Sequence, residues 1–145
     1  GLYYEDITFN WSCLSYAHKI ATVKNVFYNY RKRDDSIMGA SHKKKPGMAI
    51  HHLHNLEIVH DIWLNNGFLA KNHCLFEFIF EQYTQQGFKY LCPENQEEFI
   101  KHIKALVLKL NLKPRRFTLT YDLVNNNRIL PFKYRWAKSI HKRLL

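Results

Sequence analysis

The chain has 145 residues, carries a net charge of +10 at neutral pH, and is 46% hydrophobic. This length and composition predict a single globular domain and exclude a disordered chain. No apolar run reaches the roughly 18 residues that a membrane-crossing helix needs. The three cysteines have no metal-type spacing, which favours reduced thiols in a cytoplasmic protein.

The positive charge is concentrated in the last third of the chain. From residue 99 to residue 145, twelve Lys and Arg side chains stand against a single acid, Asp122, so this part carries +11. The preceding residues have ten basic and eleven acidic side chains and carry −1. This asymmetry predicts a polyanionic partner, which would be phosphate headgroups, nucleic acid or an anionic substrate.

The first 45 residues predict one helix and two short strands. Asp6 is expected to cap a helix that runs to about His18, and an acid at that position also suits the helix dipole. KIATVK (19–24) and VFYNYRKR (26–33) are typical of short strands, and the second alternates between two sides as a strand should. A charged loop with Gly and Pro follows.

Beyond residue 46 the apolar residues recur at three- and four-residue steps, which predicts helices. Asn95 and Glu98 form a capping-box pattern at the start of one of them. The expected helices cover residues 46–67, 72–86, 95–110, 118–126 and 131–145. The predicted fold class is therefore mainly α with a small β component (α+β), with the helix and strands in residues 1–45 and a helical, bundle-like region in residues 46–145.

Two stretches within the first 41 residues resemble the end of the catalytic domain of family 2 glycosyltransferases. YYEDITFNW is similar to that family's strand end, acidic pair and helix start. AHKIATVKNVFYNYRKRDDSIM is similar to the stretch that follows, in which a Lys-Ile strand leads to Tyr-x-Tyr-Arg and then to Ser-Ile. A Glu-Asp pair alone occurs by chance in many proteins, whereas the pair with both later motifs at this distance is much more specific.

The resemblance implies a bacterial, inverting enzyme of the GT-A type, acting in polysaccharide biosynthesis. Such an enzyme transfers a sugar from a nucleotide-sugar to a glycan or lipopolysaccharide-type acceptor. Asp6 would be the general base, because a sugar hydroxyl must lose its proton as it attacks the anomeric carbon. This role is compatible with capping the helix. Glu5 would orient the base or the acceptor, and the residues that would bind the donor diphosphate are Arg31, Arg33 and Ser36.

Two parts of the family pattern do not occur in these 145 residues. They are the nucleotide-binding region and the metal-binding Asp-x-Asp motif, which in the family both lie upstream of the acidic pair. We therefore expect the sequence to be the C-terminal portion of a longer enzyme, carrying the base without the donor site and inactive alone. The implied divalent cofactor, Mn²⁺ or Mg²⁺, would be bound by residues outside this sequence.

HHLHNLEIVH (51–60) places four histidines and a glutamate on one predicted helix. The spacing matches neither His-Glu-x-x-His nor a zinc finger, and no cysteine accompanies it, so we expect no metal here. We interpret these residues as polar helix positions that face solvent or a neighbouring subunit.

PFKYRWAKSIHKRLL (131–145) predicts a basic amphipathic helix, because its apolar residues fall at four-residue steps among basic ones. Two interpretations stay open. The helix either contacts an anionic surface on the inner face of the cytoplasmic membrane or docks on the protein core. The residues expected to contact an anionic surface are Lys133, Arg135, Trp136, Lys138, Lys142 and Arg143.

An alternative function is a non-catalytic basic helical module that binds nucleic acid or an anionic membrane surface. The sequence contains no helix-turn-helix spacing, RNA-recognition signature or zinc finger, so no specific nucleic acid is expected as a partner. Residues 46–145 could also serve as an interaction or membrane-anchoring appendage, which is compatible with the glycosyltransferase interpretation.

Overall fold

A computed structural model describes residues 3–24, 48–89, 91–116 and 118–125 of the chain. In these ranges the chain forms five α-helices and one short 3₁₀ turn, at Pro93–Asn95. The helices are α1 (Glu5–Tyr16), α2 (Met48–Asn65), α3 (Phe68–Lys89), α4 (Gln96–Lys109) and α5 (Leu119–Asn125).

Helix α2 lies at the centre of the fold and packs against α1, α3 and α4. Its apolar residues fall on the inward faces at steps of three and four, and Leu53, Leu56, Val59 and Trp63 are all fully buried. The turn into α3 requires Gly67, whose φ of 75° lies in the left-handed region that glycine adopts without strain. The predicted end of this helix at Gly67 is confirmed.

Helix α3 is longer than the predicted 72–86 and contains a kink. The backbone leaves helical geometry at Asn72, with φ −126° and ψ 26°, and the Asn72 side chain donates a hydrogen bond to the Phe68 carbonyl (3.0 Å). Further along α3, Gly87 lies where three helices approach closely. A Cβ at this position would stand 3.0 Å from the Ala49 carbonyl oxygen of α2 and 3.1 Å from the Phe99 ring of α4.

Helices α4 and α5 complete the core. The apolar residues of the helix predicted at 95–110 were expected to lie on one face. This is confirmed in α4, where Phe99, Ile103, Leu106 and Val107 are all buried. The start of α5 receives a side chain from α3, because the Glu81 carboxylate accepts the backbone N–H groups of Leu119 (2.9 Å) and Thr120 (3.1 Å). A carboxylate at this position also suits the positive end of the helix dipole.

The predicted α+β fold class is wrong, because the described residues contain helices and no strand. Residues 19–24, predicted as the first strand, are irregular and exposed along their whole length. A strand is stabilised by ladder hydrogen bonds to a neighbouring strand. The residue pattern of 19–24 does not show whether such a neighbour is present. The second predicted strand, 26–33, and the predicted helix 131–145 lie outside the described residues.

Both predicted helix caps are wrong in detail. Asp6 lies inside the first turn of α1, and the residue before the helix is Tyr4, in the left-handed conformation with φ 63° and ψ 40°. Its carbonyl accepts the Ile7 N–H (3.0 Å). Asn95 does precede α4, but its side chain makes no capping hydrogen bond. The division expected between residues 45 and 46 separates α1 from α2, and these two helices pack against each other.

None of the helices in the described ranges combines the length and apolar character that crossing a membrane would require.

Candidate functional site

An open groove runs beside the first turns of α1, between this helix and α2. Its acidic rim is formed by Glu5 and Asp6, both exposed, and its apolar part by Phe9 and Ile58, which are 67% and 38% exposed. Thr8, Ser12 and Asn55 complete the lining. The surface exposed inside the groove is apolar, and Glu5 and Asp6 are exposed at its edge. A bound molecule could therefore place an apolar face on Phe9 and reach the two carboxylates only at this edge.

The acidic rim is held in position by Asn55 of α2, which is 1% exposed. Its Nδ2 donates to the Tyr3 carbonyl (2.8 Å) and to the His51 carbonyl (2.8 Å), and its Oδ1 accepts the Thr8 hydroxyl (2.7 Å). Asn55 thereby contacts the chain on both sides of the Glu5–Asp6 pair. A buried amide with both its groups hydrogen-bonded costs little in desolvation and fixes geometry.

His52 of α2 supports the same region through its contact with Tyr4. The ring of His52 stacks on Tyr4 at a centroid distance of 4.2 Å and on Tyr83 of α3 at 6.0 Å. His52 is 2% exposed, and burial, with a smaller contribution from the positive form of His51, lowers its pKa to about 4. At neutral pH the ring is therefore uncharged and packs as an aromatic side chain.

The remaining length of α1 is bound to the core by further hydrogen bonds. The Trp11 indole N–H donates to the Tyr83 hydroxyl (3.1 Å), and the Trp63 indole N–H donates to the Trp11 carbonyl (2.9 Å). The two indole rings meet edge to face, with centroids 6.1 Å apart. At the end of the helix, Asn66 Nδ2 donates to the Ser15 hydroxyl (2.8 Å).

Two other histidines of the 51–60 motif, His51 and His54, are partly exposed and lie near His102 of α4. His60 is instead buried, with its ring edge to face against Phe76 of α3. The rings of His51 and His54 are 6.4 Å apart, and those of His54 and His102 are 5.0 Å apart. Burial and the neighbouring His54 lower the pKa values of both His51 and His102. Within the described ranges, no group of three or more His, Cys, Asp or Glu side chains could hold a metal ion.

Of the predicted site residues, the structure brings Glu5 and Asp6 together on the rim of the groove. Those expected to bind the donor, Arg31, Arg33 and Ser36, lie outside the described residues, as do Lys133, Arg135, Trp136, Lys138, Lys142 and Arg143. The sequence analysis missed Asn55. It interpreted His52 as a position that faces solvent or a neighbouring subunit, and this is wrong, because His52 is buried between Tyr4 and Tyr83. Asn55 and His52 are both polar residues within the apolar stripe of α2, and that position was the available signal, because a buried polar side chain must find a partner.

The described residues provide no ligand set for the divalent ion that the resemblance implies, whose ligands were expected outside this sequence. A second set of charges lies elsewhere on the described surface, where Lys113, Arg115 and Arg116 are all exposed between α4 and α5. Lys109, at the end of α4, instead pairs with Glu57 of α2.

Comparison of the chain with protein-family models, with curated proteins and with solved structures finds no match. The resemblance to family 2 glycosyltransferases therefore has no support beyond the motifs of residues 1–41.

Proposed function

We propose that this chain supplies the acceptor side of an inverting glycosyltransferase, with Asp6 as the general base. The observation that carries the proposal is the exposed Glu5–Asp6 pair at the edge of an apolar groove that also contains the exposed Phe9. A sugar ring has hydroxyl groups around its edge and C–H groups on its faces, so it can meet carboxylates and an aromatic ring at once.

In the proposed reaction, an acceptor hydroxyl donates a hydrogen bond to the Asp6 carboxylate. Its oxygen attacks the anomeric carbon of a nucleotide-sugar while the proton passes to Asp6, and the bond to the nucleoside diphosphate breaks on the opposite face. The anomeric configuration is thereby inverted, and the proton later passes to solvent. Glu5, the neighbouring carboxylate, accepts a second acceptor hydroxyl and orients the sugar.

The free carboxylate of Asp6 supports this role. A carboxylate that caps a helix accepts backbone N–H groups and is less available to an acceptor hydroxyl, whereas the residue before α1 is Tyr4 and no side chain caps the helix. Asp6 is exposed in the first turn, at the edge of the groove. The finding that Asp6 does not cap α1 therefore supports the proposed role of its carboxylate.

Asp6→Asn tests the proposal in the full-length protein that contains this chain. Nucleoside diphosphate release is measured across a panel of nucleotide-sugars with Mn²⁺ or Mg²⁺, with and without glycan acceptors. We expect acceptor-dependent release to fall by roughly 10²-fold or more, the size of a general-base contribution. Glu5→Gln is the matched comparison and should lose less. Release that survives Asp6→Asn would overturn the assignment.

A second candidate, contact with an anionic surface, is favoured by the exposed Lys113, Arg115 and Arg116. Among the described residues these three form no ion pair, so their charges are available to a partner. Replacing all three with Ser should reduce binding to anionic vesicles in a salt-dependent manner. Retention on heparin and oligonucleotides, with no vesicle binding, would favour nucleic acid instead.

A further inference from the structure

We propose that Asn55 is a positioning residue for Asp6, which it holds at a fixed place relative to α2. This inference deepens the proposed function and rests on it. Asn55 does not itself act on the acceptor. It acts through the backbone at Tyr3 and the hydroxyl of Thr8, with which its side chain makes hydrogen bonds of 2.8 Å and 2.7 Å.

The placement of these two contacts gives them their effect. Tyr3 stands three residues before Asp6, and Thr8 stands two residues after it. A single side chain thus fixes both ends of the short stretch that carries the base. Because hydrogen bonds depend on direction as well as distance, the pair restrains the rotation of α1 about its axis, and rotation would turn Asp6 out of the groove.

Asn55 can transmit a position because it is itself immobile. It is almost fully buried, and its Nδ2 also donates to the His51 carbonyl of its own helix (2.8 Å), which fixes its orientation on α2. Leu53 and Leu56, its neighbours on α2, are fully buried in the core. The central helix α2 therefore fixes the position of Asp6 on α1.

The chain also contains a matched control at the opposite end of α1. Asn66, just after α2, donates to the Ser15 hydroxyl (2.8 Å), while its own Oδ1 accepts the Phe68 N–H (3.0 Å). Asn66 and Asn55 are thus similar connections between the same two helices. They differ in that only Asn55 contacts the segment around Asp6.

The test compares Asn55→Leu, which keeps the branched shape of the side chain but removes its hydrogen-bonding groups, with Asn66→Ala, and runs Asp6→Asn beside them in the full-length protein. Turnover, the KM for the nucleotide-sugar and amide exchange along α1 are measured. A base displaced by about 1 Å can cost up to about 10²-fold, so Asn55→Leu should lower kcat by roughly 10- to 100-fold. The donor KM should stay within about two-fold, because the residues expected to bind the donor, Arg31, Arg33 and Ser36, lie outside α1.

Asn66→Ala should leave kcat near the wild-type value, although exchange rises at the C-terminal end of α1. Thr8→Val and Thr8→Ser keep the test decisive if Asn55→Leu does not fold. Thr8→Val removes one of the two connections and should lower kcat, whereas Thr8→Ser keeps the hydroxyl and should restore most of it. The donor KM should again change little.

Three outcomes overturn the inference, and they are distinguishable. If Asn55→Leu and Thr8→Val loosen the start of α1 while kcat is unchanged, the positioning role fails and the proposed function stands, provided that Asp6→Asn abolishes release. If exchange at the start of α1 does not rise, the connection itself fails. If Asp6→Asn has no effect, the proposed function fails and the inference fails with it.

Discussion

Helices α1 and α5 both lie on the outside of the α2–α3–α4 core, but they are held there by different interactions. Only Ile7 of the twelve residues of α1 is buried, whereas four of the seven residues of α5 are buried. Helix α1 is instead bound by hydrogen bonds from Asn55, Trp63 and Asn66, and by its own Trp11.

The comparison distinguishes the strength with which a helix is attached from the accuracy with which it is oriented. Burial of apolar surface is strong and non-directional, so Leu119 and Leu123 stabilise α5, while the hydrogen bonds from Glu81 orient its start. A hydrogen bond contributes only about 0.5–1.5 kcal/mol net, but it requires defined distances and angles. Helix α1 therefore depends on hydrogen bonds along most of its length, whereas α5 combines apolar burial with hydrogen bonds at its start.

The largest expected effect is on α5. Leu123 is fully buried, and Leu123→Ala removes its side chain from the core. We expect a loss of roughly 4 kcal/mol in the free energy of unfolding, from lost burial and the cavity left behind. Urea unfolding followed by circular dichroism measures it. A loss below about 1 kcal/mol would show that apolar burial does not hold α5.

The next largest expected effect is a change of stability with pH, caused by His52, which stacks on Tyr4 just before α1. Folding lowers the pKa of His52 from 6.5 to about 4, so its contribution to stability is complete above pH 6.5. Below that pH the His52 ring binds a proton in the unfolded chain but stays unprotonated in the folded chain until the pH reaches about 4. Stability should therefore fall by on the order of 3 kcal/mol between pH 6.5 and 4, as the linkage relation requires.

The control for this prediction is His52→Phe, which keeps an aromatic ring between Tyr4 of α1 and Tyr83 of α3 but cannot titrate. His51, the neighbouring titratable group on α2, remains in both proteins and its contribution cancels. Urea unfolding at several pH values should give a shallower pH dependence for the variant. Parallel curves would mean that protonation of His52 is not excluded by folding.

A smaller effect is expected at the start of α5. Glu81→Gln removes the negative charge that faces the backbone N–H groups of Leu119 and Thr120. We expect a loss of about 1–2 kcal/mol, the difference between charged and neutral hydrogen bonds together with the helix dipole. Unfolding in urea at pH 7 measures it. An unchanged midpoint would show that Glu81 is dispensable.

The smallest effect is expected in α1. Trp11→Phe removes the indole N–H that donates to the Tyr83 hydroxyl but leaves the Trp11 carbonyl that accepts from Trp63. We expect a loss of about 1 kcal/mol. Amide exchange in α1 should rise more than in α4, because the change acts on the attachment of one helix. Equal increases in both helices would contradict this.

The sequence predicted the helical core well, because its signal is local. The spacing of Leu53, Leu56 and Trp63 on α2, and of Phe99 and Ile103 on α4, follows the helical period, and all five are fully buried. The strand at 19–24 was wrong, since its pattern says nothing about whether another strand lies beside it. The kink at Asn72 was taken for a helix start, because a polar residue before an apolar run is typical of both.

The site could be predicted only in part. The Glu5–Asp6 pair is contiguous in sequence and belongs to a motif, so it was found. Asn55 stands 47 residues after Thr8, and nothing in the local sequence connects the two. Tyr4 in a left-handed conformation was equally unforeseeable, because that geometry favours glycine and results here from contacts made elsewhere in the fold.

The edge-to-face pair of Trp11 and Trp63 gives the protein an intrinsic optical reporter. One indole belongs to α1 and the other to the fully buried face of α2, so their mutual orientation changes when α1 moves and the core stays folded. In a Trp136→Phe background these are the two remaining indoles, so circular dichroism at wavelengths beyond tyrosine absorption should report movement of α1 relative to α2. Addition of a candidate acceptor sugar could then be followed without any label.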